Sequence, residues 1–205
     1  MFRWYRPIGL LEMKHYCARE LGFTLIELMV TLAMVAILMT VAVPSFTTFQ
    51  RNAELTSFSN SLLSGINAAR GEAMKRGRNA MVVPGDGASW NSGWTVFVDM
   101  NRDGAYDEAT DITVLRREAA PSYLTVTNTA VTPADSLYIM YDASGYSRLT
   151  GGGFGAWTVQ IARNDVTGAT LLAQTRRIKI ASTGRARVCT PATATDINCR
   201  DTTAL

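Results

Sequence analysis

The chain is poor in the residues that carry most enzyme chemistry. It has one histidine, His15, and three cysteines among 205 residues. A zinc site of ordinary Cys/His spacing has almost nothing to draw on. Ser-His-Asp or Cys-His catalysis would depend wholly on His15. Charge is scarce as well: Asp, Glu, Lys and Arg make up 18% of the chain, against about 25% in typical soluble chains. A net charge of +3 is too small for a protein that coats nucleic acid, so any basic site must be local. What the chain has in quantity is apolar character, with 47% hydrophobic residues, which excludes wholesale disorder.

Much of that character is concentrated in residues 23–43, FTLIELMVTLAMVAILMTVAV, where Glu27 is the one charge. A helix of that length spans roughly 31 Å at about 1.5 Å per residue, the thickness of a bilayer's hydrocarbon core. Residues 1–22 carry Arg3, Arg6, Lys14 and Arg19 against Glu12 and Glu20. Positive charge ahead of the span predicts a cytoplasmic N-terminus and an exported body. The stretch is too long for an ordinary secretory signal and runs into Pro44-Ser45-Phe46 with no A-x-A cleavage pattern. A plain signal-anchor would not need Glu27. A carboxylate inside a span costs about 2.5–3.5 kcal/mol, so it normally has a partner or a function.

The junction Gly22-Phe23-Thr24-Leu25-Ile26-Glu27-Leu28 resembles the type III signal of type IV prepilins and type II secretion pseudopilins. The resemblance implies that a membrane-embedded prepilin peptidase cuts between Gly22 and Phe23 and methylates the new amine on Phe23. Glu27 becomes the fifth residue of the mature chain, and Pro44 matches the proline that the family carries beyond its apolar segment. Phe23, Glu27 and Pro44 are thereby the expected assembly residues. An amine on Phe23 and a carboxylate on Glu27 are poorly solvated in the membrane, so neutralisation by a neighbouring subunit favours ordered entry into a fibre. His15 and Cys17 leave with the leader, which excludes histidine-dependent enzymes; no enzymatic activity, cofactor or metal is expected. Met13 is an alternative start that gives a shorter leader.

Beyond Pro44 the helical signal continues. Leu55, Phe58, Leu62, Ile66, Ala69 and Ala73 recur at spacings of three and four, the stripe of an amphipathic helix. Gly77 and Asn79 are stop signals. The expected organisation is a leader over 1–22, a membrane and assembly helix over 23–43, its amphipathic continuation over 44–78, and a β-rich head over 79–205. Candidate strands cover 80–83, 94–98, 112–116, 123–127, 137–141, 157–162, 176–181 and 187–189, separated by Gly, Asp, Asn or Pro turns. The fold class is α+β: a long N-terminal helix packed on antiparallel sheet, like a stem leading into a head.

Within the prepilins the head resembles the FimT/FimU minor pilins and the related GspH pseudopilins. The segments that carry the resemblance are 93–104, GWTVFVDMNRDG, and 180–189, IASTGRARVC. The resemblance implies a β-sandwich-like head and low-copy subunits that prime assembly and sit at a fibre tip. The partners it implies are other minor and major pilins, the prepilin peptidase, the inner membrane on which the subunit is held with a periplasmic head, and DNA. H-type pseudopilins of type II secretion systems are the alternative.

Three constellations bear on chemistry. Asp99, Asn101, Asp103 and Gly104, with Asp107 nearby, copy the first half of a calcium loop. The twelfth position, however, is Thr110 where glutamate is required, so a structural turn is the preferred reading. Cys189 and Cys199 are the cysteines that remain after cleavage, and in an exported chain a disulfide is the default. A basic cluster lies from Arg163 to Arg187. In FimT-like pilins a G-R-x-R segment is linked to DNA capture, and Gly184-Arg185-Ala186-Arg187 matches it residue by residue. Arg185 and Arg187 are two apart on an extended segment and share a face, with Arg176, Arg177 and Lys179 as the expected support. Strand-edge arginines also guard against aggregation, which is the competing reading.

The leader yields the first prediction. N-terminal sequencing of the processed protein should begin at Phe23, and Gly22→Ala should leave the longer form in the membrane. A mature chain that starts elsewhere would contradict the cleavage site.

Overall fold

The computed structural model describes residues 22–202. The leader expected over 1–22, with His15, Cys17 and the alternative start Met13, therefore lies outside the described residues except for Gly22. By its contacts the chain divides into a unit ending at Phe46 and a unit from Thr47 onward.

A single helix, α1 (Leu25–Arg76), contributes to both units. It starts where Thr24 accepts the Glu27 amide on Oγ1 at 3.2 Å, one half of a capping box. It passes through Pro44 without a break. In the first unit the apolar side chains are exposed, among them Phe23, Leu25, Ile26 and Leu32. This segment is long and apolar enough to cross a membrane. The far end of α1 closes at Gly77, whose φ of +64° suits glycine, while the Arg78 amide reaches back to the Ala73 carbonyl at 3.3 Å.

The second unit holds nine strands among the described residues: β1 (Ala80–Pro84), β2 (Trp94–Val98), β3 (Ile112–Arg117), β4 (Leu124–Thr129), β5 (Ile139–Tyr141), β6 (Ser147–Arg148), β7 (Trp157–Arg163), β8 (Thr175–Ile180) and β9 (Ala186–Cys189). They form two sheets, ordered β3-β2-β1-β5-β6 and β4-β7-β8-β9, antiparallel throughout. The expected helical stripe is the buried face of α1: Leu55, Phe58, Leu62, Ile66, Ala69 and Ala73 all enter the core. Phe58 meets Trp94 of β2 edge to face at 5.1 Å between centroids. Gly65 lets the Trp94 indole lie against the helix, because a Cβ there would sit 2.9 Å from Nε1. From the second sheet, Ile178 and Ile180 enter the same core.

Two elements of the head are absent from the strands expected over 79–205. A short helix, α2 (Gly168–Ala173), precedes β8; six residues carry too little periodicity to register. β6 is a two-residue strand, below the length at which alternation can be seen. The strand expected from residue 137 begins at Ile139, since Ala134–Leu137 form a 3-10 turn.

An ion cluster ties α1 to the second sheet. Arg163 at the end of β7 is buried and donates twice to Asp165, at 2.8 and 2.7 Å. Arg51 of α1 pairs with the same carboxylate and lies over the Tyr123 ring at 4.9 Å. The Asp165 carboxyl is held well below the usual carboxylate range, first by its bonds to Arg163 and then, against the opposing effect of burial, by Arg51.

The cluster predicts a pH dependence. A carboxyl whose folded pKa lies below its unfolded value of about 4 contributes stability above that pH and loses it as pH falls towards the folded value. Asp165→Asn should lower stability by about 1–3 kcal/mol at pH 7, because Arg163 is left without its charged acceptor. In urea unfolding, the gap between variant and wild type should close below about pH 4; a gap that stays constant with pH would assign the loss to packing alone.

Candidate functional site

The basic segment singled out by sequence lies on the turn between β8 and β9. Strand pairing ends at Ile180 and Ala186. The chain then reverses through Ala181–Gly184: the Gly184 amide donates to the Ala181 carbonyl at 2.8 Å, and the Ala181 amide to the Arg185 carbonyl at 2.9 Å. Gly184 has φ +82°, the left-handed glycine that closes a hairpin loop of this kind. It is also buried, and a Cβ would run into the Gly145 carbonyl oxygen. The turn is held from outside as well. The Ser147 amide donates to the Ser182 carbonyl at 3.3 Å, and its hydroxyl to the Ala181 carbonyl at 2.7 Å. Arg70 of α1 donates to the Gly145 carbonyl at 2.9 Å and to that of Thr183 at 3.4 Å. Arg185 therefore projects from a fixed platform.

The five expected cations part company here. Arg185 is exposed. Arg187 is half-buried and donates to the Asn198 carbonyl at 2.6 Å. Both line a shallow cavity of about 320 Å³ with Lys179, Ser182 and Thr183. The expected supporting residues Arg176, Arg177 and Lys179 are bonded within the head, Arg177 and Lys179 buried and Arg176 half-buried. Arg176 faces α1 and donates to Asn52 at 3.1 Å and Thr56 at 3.3 Å. Arg177, 7% exposed, donates to Gln160 at 2.7 Å and to the Cys199 carbonyl at 2.6 Å. Lys179 is 1% exposed, and its ammonium donates to the Thr202 carbonyl at 3.0 Å and that of Arg200 at 3.4 Å. Burial, then the charges of Arg187, Arg177 and Arg200, push the Lys179 ammonium below its ordinary range.

The physical reason is a strap. Residues 198–202 turn their carbonyls toward the face of the sheet that carries Arg177, Lys179 and Arg187. The Cys189–Cys199 disulfide, with Cα atoms 5.9 Å apart, joins this strap to β9. Sequence reasoning singled out the two cysteines and the cations separately; the pairing of side chains with backbone carbonyls left no pattern to find.

The calcium-like segment is an Asx-rich turn. Asp99 is buried and accepts the amides of Arg102 at 2.6 Å and Gly104 at 3.1 Å. Asp103 accepts from Ala105 at 2.8 Å. Asp111, absent from the sequence motif, accepts from Met100 at 2.9 Å and Asp107 at 3.0 Å. These carboxylates hold backbone amides and brace the turn. Phe23, Glu27 and Pro44, the residues expected to serve in assembly, all lie in the exposed apolar unit.

The disulfide gives a stability prediction. It closes a loop of nine residues, 190–198, so Cys189→Ser should lower the head's unfolding free energy by about 2.5–3 kcal/mol on chain-entropy grounds. Unfolding in urea with and without reductant checks this, and a reductant-insensitive midpoint in wild type would contradict it.

The family model described as Type II transport protein GspH matches residues 59–192. The prokaryotic N-terminal methylation motif matches residues 17–43. Among solved structures, the type IV minor pilin FimU of Pseudomonas aeruginosa superposes with a TM-score of 0.50 at 17% identity, covering 69% of this chain and 92% of that one. A second crystal form of FimU gives 0.49 at 16% identity, covering 65% and 91%. The minor pseudopilin EpsH from the type 2 secretion system of Vibrio cholerae gives 0.47 at 14% identity, covering 68% and 99%. No curated protein matches the chain. The GspH match covers well over half of the 205 residues, and the chain belongs to the GspH family of minor pilins and pseudopilins, structural subunits that assemble with other pilins and are not enzymes.

Proposed function

We propose that this chain is a minor pilin that primes assembly of a type IV pilus, sits at the fibre tip and captures DNA there. The methylation motif at the start of an exposed apolar helix is the observation that carries the assembly role. In this reading prepilin peptidase cuts after Gly22 and methylates Phe23, and Glu27 pairs with a neighbouring subunit's amine. The subunit waits in the inner membrane with its head in the periplasm. Fibre partners then cover the apolar helix, Pro44 included.

DNA capture rests on Arg185 and Arg187. The fixed turn supports it, since an arginine held at a constrained tip needs little ordering on binding. Two phosphate contacts make the interaction weak, salt-sensitive and indifferent to sequence. A second reading, an H-type minor pseudopilin of a type II secretion system, is favoured by the description of the matching family model. A deletion strain scored separately for piliation, protein secretion and DNA uptake separates the two.

Arg185→Gln is the cleaner of the two arginine tests, because Arg187 also holds the strap through Asn198. For the full-length chain in detergent, the Arg185→Gln/Arg187→Gln pair should abolish binding to unrelated duplexes at low salt. The Arg185→Gln variant should weaken it with no change in thermal unfolding. Wild type should show a log–log salt slope of about −0.9 per phosphate contact. Binding that survives the double substitution would make the arginines a solvated strand edge.

A further inference from the structure

Beside the G-R-x-R turn lies a feature that neither the fold nor the assembly reading uses. Tyr146 and Phe154 are 44% and 57% exposed. Their rings meet at 5.7 Å and 64°. Arg148 of β6 lies over the Phe154 ring with Cζ 4.4 Å from its centroid, while its Nε donates to Asp142 at 2.7 Å. Residues 148 and 154 form an isolated antiparallel bridge. Below it the loop closes through the Leu149 amide and the Gly153 carbonyl at 2.9 Å. The two rings thus stand at the mouth of a small closed loop and contribute nothing to the buried core.

Their position is set by the same contacts that hold the basic turn. Tyr146 lies between Gly145, whose carbonyl opposes Gly184, and Ser147, which donates to the carbonyls of Ala181 and Ser182. The aromatic pair and Arg185 are therefore presented by two turns bonded to one another. Exposed aromatic rings beside exposed arginines are the combination that grips single-stranded nucleic acid: the cations follow the phosphates and each ring offers a face to an unpaired base. A duplex hides those faces in its own stack and can use the arginines alone.

We infer that Tyr146 and Phe154 form a base-stacking platform that makes this head a binder of single-stranded DNA in preference to duplex. The inference rests on the proposed DNA contact at Arg185 and adds to it the form of the strand. Arg148 stiffens the platform by covering one ring, and the strand's phosphates run toward Arg185 and Arg187.

The test compares the full-length chain in detergent on an oligo-dT and on a duplex of equal length, with four proteins. Wild type should bind the single strand more tightly. Tyr146→Leu/Phe154→Leu keeps apolar bulk without the π-faces; it should lose roughly tenfold or more on oligo-dT, keep its duplex affinity, and keep a salt slope of about −0.7 per contact on the single strand. Tyr146→Ala/Phe154→Ala should behave alike, and an unchanged thermal midpoint in both excludes misfolding. Arg185→Gln should weaken binding to both forms. If the aromatic variants leave oligo-dT binding unchanged, or weaken both forms equally, the platform is overturned while the arginine contact stands. If Arg185→Gln weakens neither form, the DNA reading itself fails and the platform with it.

Discussion

The head is organised by one shortage of surface. α1 offers a single apolar stripe, from Leu55 to Ala73, and two sheets have to be buried on it. Each sheet turns one apolar face to the helix and has its other face covered by connecting segments, as where Tyr106 packs on Phe97 behind the first sheet. The first sheet meets the stripe with Trp94 and Val96, and the Trp94 indole reaches in at Gly65. The second brings Ile178 and Ile180, together with Arg176 bonded to the helix side chains Asn52 and Thr56. Where the two sheets come together, glycine recurs for the same reason. A Cβ on Gly184 would run into the Gly145 carbonyl, and one on Gly145 would meet Met74 and Arg70 of α1.

The outer face of the second sheet shows how the remaining problem is solved. Arg177, Lys179 and Arg187 lie on it in register with one another's strands. Left bare, they would repel. The strap from Asn198 to Thr202 supplies carbonyl oxygens to all three and is held by a disulfide to the edge strand. Neutral dipoles replace water around the charges, and no acidic residue is required. Arg185 lies just past the end of this arrangement and is exposed, while Arg187 stays half-buried.

What could be read from sequence follows the range of the interactions. The stripe of α1, the stop at Gly77 and the longer strands are periodic over neighbouring residues, and they were legible. β6 and α2 were not, being shorter than a period. The site was legible in part. Gly184 announced a turn, but its opposition to Gly145 depends on a contact across the fold. Arg177 and Lys179 read as surface cations because strap carbonyls some twenty residues on, which carry no sequence identity, accept from both. Asp111 was overlooked because it braces the Asx turn from outside the motif. Tyr146 and Phe154 carry no sequence signal, since isolated aromatics usually mark core.

The strap also bears on how the molecule is handled in the laboratory. Cys189 and Cys199 can join only where the surroundings oxidise thiols. A head made in a reducing cytoplasm has the strap from Asn198 to Thr202 tethered by hydrogen bonds alone, with Lys179, Arg177 and Arg187 one opening away from water. Such material bares a local patch of cations that the exported protein keeps covered, and its apparent affinity for DNA would report the missing bond and not the turn at Gly184.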